Sequence, residues 1–227
     1  MLYVGLVLGM AAENIAAHAA GLNALRVYIA TLVLIVPALV GARLLYVLAE
    51  WSVYRENLPR IWDRRDGGGI MLGGLPVSLL LSVPLLHLLH LSIPVFWDVA
   101  VFTILVGMFF GRIGCLLNGC CAGRCTTTWL GLYLPDCSGV WKKRIPTQLL
   151  EALLALVLLV CAIAVRQSLP FPGALFLSVV LGYAGGRLVL EFARARQSKV
   201  GGFGVASVIS LTLALVSISA LTLYWRS

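Results

Sequence analysis

Seven apolar stretches, separated by polar segments, constrain this chain more than any other feature of its sequence. Helices of about twenty residues, rising about 1.5 Å per residue, cross a hydrocarbon core of about 30 Å. Helices are expected because a backbone in lipid must satisfy its own hydrogen bonds. The sequence therefore predicts an all-α polytopic membrane protein: one integral membrane domain over residues 1–227, built as a bundle of about seven transmembrane helices. The predicted spans are Leu2–Ala20, Val27–Ala49, Gly68–Leu91, Pro94–Leu117, Thr147–Val165, Gly173–Ala193 and Gly202–Trp225.

The composition agrees with a lipid environment. Hydrophobic residues make up 61% of the chain and charged residues 11%, whereas a soluble domain carries about a quarter charged residues. The net charge of +8 favours basic loops that meet anionic lipid head groups over a nucleic-acid partner. The first apolar stretch lacks a basic leader and a small-residue cleavage site, so it is interpreted as a retained span.

The distribution of basic residues predicts an orientation. Seven spans would place most loop arginines and lysines on one face, which the positive-inside rule assigns to the cytoplasm. The opposite face would carry Arg26, Arg166 and Arg226. The richer face would carry Arg55, Arg60, Arg64, Arg65, Arg124, Lys142, Lys143, Arg144, Arg194, Arg196 and Lys199.

Three arginines lie within or at the ends of predicted spans, beside glycine or alanine. These are Arg43, Arg112 and Arg187. Charges at membrane depth are costly and often functional, and a guanidinium group offers a planar fork of donors that fits a phosphate. The pattern predicts an anion site for a phospholipid head group. Arg187 and Glu191 are spaced i, i+4, so a structural ion pair on one helix face is an equally ordinary interpretation.

Five of the six cysteines lie between residues 115 and 137. Their spacing, C-x4-C-C-x3-C for the first four, matches no standard zinc or iron–sulfur pattern, so no metal is expected. Two alternatives stay open. One is a disulfide, with Cys125–Cys137 the favoured pair. The other is a reactive thiol whose pKa is lowered by Arg112 and Arg124.

Six segments, in order along the chain, resemble motifs of the prolipoprotein diacylglyceryl transferase family. Members of this family are bacterial membrane enzymes that move diacylglyceryl from phosphatidylglycerol to a lipobox cysteine. The segments are GARLLYVLAEW (41–51), GGGIMLGGL (67–75), GRIGCLLNGCCAG (111–123), RIPTQLLE (144–151), GYAGGRLVLEFAR (182–194) and, more loosely, GGFGVAS (201–207).

The resemblance implies a site and its partners. Arg112 and Arg187 would hold the phosphate of the lipid donor. Because the family's candidate base is replaced here, removal of the acceptor thiol's proton would need another group, for which Glu151 and Cys120 are our own candidates. The expected partners are phosphatidylglycerol, a lipoprotein precursor with a lipobox cysteine, and membrane lipids, with no cofactor. The implied location is the bacterial cytoplasmic (inner) membrane. The catalytic opening would face away from the cytoplasm, opposite to the charge count. Further substrate contacts are implied for Arg43, Asn118, Gly123, Gln148 and Glu191.

The chain departs from the family pattern at four positions. Leu72 and Ile145 replace family histidines, Cys115 replaces an asparagine, and Cys120 replaces a glutamate. The candidate general base before G-G-L is therefore missing, while the phosphate-binding arginines are kept. Two alternatives follow from this loss: a divergent lipid-head-group transferase with Cys120 or Cys121 as nucleophile, or a non-catalytic lipid-binding paralogue.

Overall fold

The computed structural model describes residues 1–49, 51–55, 71–129, 131–135, 139–191, 199–200 and 203–226. Helices dominate this part of the chain, which confirms the predicted all-α class. In chain order the elements are α1 (Leu2–Ala19), α2 (Ala24–Ala49), the single turn α3 (Trp51–Tyr54), α4 (Met71–Leu88), α5 (Ile93–Leu117), β1 (Leu132–Pro135), β2 (Trp141–Arg144), α6 (Thr147–Val165), α7 (Ala174–Glu191), β3 (Lys199–Val200), β4 (Phe203–Gly204) and α8 (Val205–Arg226).

Within the described residues, four helical segments are long and apolar enough to cross a membrane: Ala24–Leu48, Ile93–Leu117, Thr147–Val165 and Ala174–Glu191. Two shorter apolar segments, Gly73–Leu88 and Ser207–Thr222, accompany them. The chain is thus a multi-pass membrane protein. The predicted bounds of α6 are confirmed, whereas the starts predicted for the third and seventh spans, Gly68 and Gly202, lie outside the described residues.

Two helix pairs, α1 with α5 and α2 with α4, pack antiparallel with glycines at the close approaches. On α1, Gly5 faces Phe110 and Gly9 faces Thr103, so α1 and α5 run in opposite directions. On α2, a Cβ added at Gly41 would lie 2.7 Å from the carbonyl oxygen of Gly73 on α4. These contacts are the small-residue packing typical of membrane helices.

A buried carboxyl group ties three helices together at mid-bundle. Glu13 of α1 is 2% exposed and accepts hydrogen bonds from Thr31 of α2 at 2.7 Å and Thr103 of α5 at 2.5 Å. A polar group in an apolar interior is costly unless its hydrogen bonds are made. Glu13, which interrupts the first apolar stretch, is therefore part of the helix packing.

The segment between α5 and α6 contains a β-hairpin. Strands β1 and β2 pair antiparallel, with Leu132 opposite Arg144 and Pro135 opposite Trp141. The chain before the hairpin pairs with it as well. The Gly123 N–H donates to the carbonyl of Ile145 at 2.9 Å, and the Thr126 N–H donates to that of Lys143 at 2.9 Å. The hairpin thus fixes the loop that leaves α5 against the start of α6.

The opposite end of the bundle has its own fixed contact. Asp98, in the second turn of α5, accepts the N–H of Gly173 at 2.6 Å and of Phe176 at 2.9 Å. The first N–H groups of a helix have no partner within it, so this carboxylate caps α7 from another helix. Asp98 therefore lies far along the bundle from the ends of α5 and α7 where the arginines are found.

Candidate active site

One charged cluster lies where α5 ends and α6 begins. Arg112, in the last turns of α5, forms a salt bridge with Glu151 of α6. The side chain of Glu151 is 1% exposed and that of Arg112 is 15% exposed. Removing one member of such a buried pair costs about 3–5 kcal/mol because the other charge loses its compensation. The two residues are therefore fixed in place by each other.

The second arginine lies at the end of α7. Nη1 of Arg187 donates to Oε2 of Glu191 at 2.8 Å. The i, i+4 pair anticipated from the sequence is therefore present. It differs from the first pair in exposure, because the Arg187 side chain is 4% exposed while that of Glu191 is 32% exposed. Glu191 can consequently exchange its partner for water more readily than Glu151 can.

Tyr183 of α7 connects the two pairs. Its hydroxyl is hydrogen-bonded with Arg112, and it interacts electrostatically with Glu151 and Arg187. The ring is buried against Met108 of α5 and Ala155 of α6. Tyr183 was not among the site residues predicted from the sequence. Its position four residues before Arg187 was the available signal, since i and i+4 share a helix face.

Arg43 has different surroundings. Its guanidinium carbon lies 5.7 Å from the ring centre of Tyr46 and 5.6 Å from that of Tyr54, within cation–π range. Helix α2, which carries Arg43, packs mainly on α4. The described contacts therefore place Arg43 with two aromatic rings, and its participation in substrate binding stays a prediction.

The loop after α5 is held by the first residues of α6. Oγ1 of Thr147 donates to the carbonyl of Cys121 at 2.8 Å, and Nε2 of Gln148 donates to that of Cys120 at 2.7 Å. These bonds maintain a sharp turn, since Cys121 has φ 63° and Gly119 has φ 66°, a conformation uncommon for residues other than glycine. Gln148 is 1% exposed, and its Oε1 has no hydrogen-bond partner among the described residues.

The turn gathers three thiols. The sulfur atoms of Cys115, Cys120 and Cys121 all lie within 4.8 Å of one another. Burial, together with the adjacent Cys121 thiol, raises the pKa of the Cys120 thiol above its ordinary value. The pKa of Cys120 therefore moves in the direction opposite to that expected of a thiol activated by Arg112 and Arg124.

The favoured disulfide is not tested by the structure. Cys125 is exposed and forms no disulfide with any residue that the structure describes, and Cys137 lies outside that part of the chain. The Cys125–Cys137 pairing stays a prediction.

An open cavity of about 500 Å³ adjoins the cluster of thiols. Asn118, the residue directly after α5, is exposed at the cavity wall, while Gly123 is buried and hydrogen-bonded to Ile145 beside the hairpin. Leu72 lies at the start of α4, and Ile145 follows β2 directly. The cavity is lined by Met1, Gly111, Gly114, Cys115, Leu117, Asn118 and Cys120.

The fold and the site together define a polytopic membrane protein with paired arginines and carboxylates buried at one end of its helix bundle. A model of the family described as prolipoprotein diacylglyceryl transferase matches residues 1–223. The chain belongs to this family, which confirms the resemblance found in the sequence.

Similar proteins come from several bacteria and carry the name phosphatidylglycerol–prolipoprotein diacylglyceryl transferase. The protein of Dehalococcoides mccartyi is 30% identical over 193 residues, 83% of this chain and 73% of its own. That of Listeria welshimeri is 30% identical over 201 residues, covering 83% and 70%. That of Bacillus cereus is 32% identical over 193 residues, covering 80% and 70%.

Proposed function

We propose that this protein transfers diacylglyceryl from phosphatidylglycerol to the lipobox cysteine of a lipoprotein precursor, in the bacterial cytoplasmic (inner) membrane. The observation that carries the proposal is the convergence of Arg112 and Arg187 on Tyr183. We infer from this shared neighbour that two guanidinium groups from different helices serve one phosphodiester. Family membership adds that this arrangement occurs in a chain related to enzymes named for that reaction.

The different exposure of the two ion pairs suggests how the phosphate binds. Two arginines and two glutamates leave the cluster without net charge, so an entering phosphate must compete with a carboxylate for a guanidinium group. Glu191, 32% exposed, is the group that can turn to water, whereas Glu151, 1% exposed, cannot. Arg187 would therefore release Glu191 and bind the phosphate. Arg112, oriented by Glu151, would donate to the phosphate from the guanidinium N–H groups that Glu151 does not engage.

The chemistry requires a thiolate and a stabilised leaving group. The acceptor sulfur attacks the glycerol carbon that bears the phosphate ester, a C–S bond forms, and the C–O bond breaks with its electron pair on the phosphate. Glycerol phosphate leaves while Arg112 and Arg187 offset the charge that develops on it. We assign Gln148 to orientation, because its buried Oε1 can accept a hydrogen bond from a substrate thiol or hydroxyl.

We infer that neither Glu151 nor Cys120 removes the thiol proton. Glu151 is engaged by Arg112, so we assign it to positioning. Cys120 has a raised pKa, which makes it a poor nucleophile as well, since a thiol attacks as its thiolate. This disfavours the alternative transferase that uses Cys120 for covalent catalysis. A non-catalytic paralogue is the second alternative, and it predicts lipid binding without turnover.

The test is an assay with purified protein, phosphatidylglycerol and a lipobox peptide, with the thioether product detected by mass spectrometry. Wild type should form diacylglyceryl peptide, and Arg112→Ala and Arg187→Ala should each lower the rate by at least about 100-fold, the effect of removing one preorganised donor. Arg26→Ala is the matched control, because Arg26 is exposed in the first turn of α2, at the other end of the bundle. Full activity in the Arg112→Ala, Arg187→Ala double variant would contradict the proposal.

A further inference from the structure

Three thiols meet beside the arginine cluster, at the point where the family pattern has polar residues. The sulfurs of Cys115, Cys120 and Cys121 lie within 4.8 Å of one another. In a tetrahedral zinc site with Zn–S bonds of about 2.3 Å, sulfurs are separated by about 3.8 Å. Movements of about 1 Å would therefore give this cluster the geometry of three zinc ligands. The spacing of the cysteines along the sequence does not show that their sulfurs meet, because the turn at Gly119 and Cys121 folds the chain back onto α5.

The backbone around the thiols is fixed before any ion binds. Thr147 and Gln148 of α6 hold the carbonyls of Cys121 and Cys120. Cys115 belongs to the last turn of α5, so two helices position the three sulfurs. Arg112 interacts electrostatically with Cys115 and Cys121. A zinc ion with three thiolates carries one net negative charge, which this guanidinium group would offset.

The fourth coordination position would face open space. Cys115 and Cys120 form part of the wall of the cavity of about 500 Å³ described above. Structural zinc sites close with a fourth protein ligand, whereas catalytic sites keep three protein ligands and leave one position open. The three described thiols next to a cavity match the second type.

We propose that Cys115, Cys120 and Cys121 bind Zn²⁺ as thiolates and that the open fourth position takes the acceptor thiol. This inference rests on the proposed function, and it supplies the thiolate that the missing histidine at Leu72 would otherwise be expected to generate. A thiol that coordinates zinc is deprotonated outright. The acceptor R–SH replaces a zinc-bound water, its proton passes to solvent, and the sulfur keeps the electron pair that then forms the C–S bond.

The first experiment measures the metal without using activity. Wild type, purified under reducing conditions and dialysed against micromolar zinc, should contain one zinc per chain by mass spectrometry of the metal. X-ray absorption should show three sulfur neighbours at about 2.3 Å. Cys115→Ser, Cys120→Ser and Cys121→Ser should each lose zinc, whereas Cys161→Ser, changed on the exposed face of α6, should keep it.

Two measurements guard against variants that fail to fold. Cobalt added to wild type should give a thiolate-to-metal charge-transfer band, which needs no substitution. Thr147→Val should release the Cys121 carbonyl while leaving all three thiols, and should weaken zinc binding about tenfold, the smaller effect expected of a group that orients ligands. Zinc-free wild type, an internal disulfide among the three cysteines, or unchanged zinc content in the serine variants would each overturn the site.

The second experiment tests the acceptor position. Adding a lipobox peptide to the zinc protein, without lipid, should raise the sulfur count at zinc from three to four, and the same peptide with serine in place of cysteine should not. An unchanged count would overturn the role in acceptor binding. Zinc-dependent turnover would support it, and full turnover after zinc removal would overturn it. Sulfur coordination without turnover on phosphatidylglycerol would instead contradict the proposed function and leave the metal site standing.

Discussion

Replacing both members of the buried Arg112–Glu151 pair should separate stability from activity. Glu151→Leu alone leaves the Arg112 charge without its carboxylate. The general cost of breaking a buried pair is about 3–5 kcal/mol. Because the Arg112 side chain is 15% exposed and near a helix end, its charge can partly reach water, and we expect the lower value, about 3 kcal/mol. In a protein of this size, that loss corresponds to a fall in Tm of roughly 6–12 °C.

The double variant Arg112→Met, Glu151→Leu removes both charges and fills the space with apolar side chains. Such replacements are often neutral or stabilising, so its unfolding free energy should return to within about 1 kcal/mol of wild type. Its transferase activity should stay absent, because the phosphate has lost a guanidinium group. Glu191→Gln is the stability control, and it should cost less than Glu151→Leu because the Glu191 side chain is 32% exposed and glutamine keeps an oxygen that can accept a hydrogen bond from Arg187.

The assay combines unfolding in detergent micelles with the peptide transfer reaction on the same preparations. Two results would refute the reasoning. A double variant as unstable as Glu151→Leu would mean that the loss does not come from an uncompensated Arg112 charge. A double variant that retained transfer activity would remove Arg112 from phosphate binding.

Three further predictions address packing, capping and thiol chemistry. Asp98→Ala should lower the unfolding free energy by about 1–2 kcal/mol through loss of the cap on α7, measured as a lower Tm. Asp98→Asn keeps an acceptor oxygen and should lose less stability. Equal losses in the two variants would contradict the capping role. Gly186→Ala should cost about 1–3 kcal/mol, because a Cβ there would lie 2.5 Å from Leu154 Cδ2, while Gly185→Ala should be tolerated because no described atom lies within 4 Å of its Cβ. In metal-free protein, Cys120 should react with iodoacetamide more slowly than a model thiol at pH 8, because its raised pKa keeps the thiolate population low. The reaction rate should increase as the pH is raised further. Peptide mapping of the alkylated protein measures this rate, and a fast reaction at pH 8 would contradict the prediction.

The helices could be predicted from the sequence because the need to satisfy backbone hydrogen bonds in lipid decides where they form. A long apolar run in lipid has few alternatives to a helix, and proline or glycine near its ends limits its length. Thr147–Val165 illustrates this, since Pro146 precedes the predicted and observed start of α6. The i, i+4 pairing of Arg187 with Glu191 was likewise accessible, because it depends only on helical geometry.

Features that depend on tertiary contacts were not predictable in this way. The hairpin β1–β2 consists of strands of four residues each, too short for a clear period-two pattern. The three thiols come together only through two positive φ angles and the hydrogen bonds from Thr147 and Gln148. Tyr183 joins the two arginines because α5, α6 and α7 pack around its ring, and spacing within α7 alone does not encode those neighbours.

The Asp98 cap at one end of the bundle also sets the depth of Arg112 and Arg187 at the other end. Asp98 precedes Arg112 by fourteen residues on α5, and Gly173, whose N–H it binds, precedes Arg187 by the same number. Both helices rise about 21 Å over that interval. Anchoring the two starting points therefore brings the two guanidinium groups to one level of the bilayer. A shift of α7 by a single residue would displace Arg187 axially by about 1.5 Å and turn it away from its counterpart on α5.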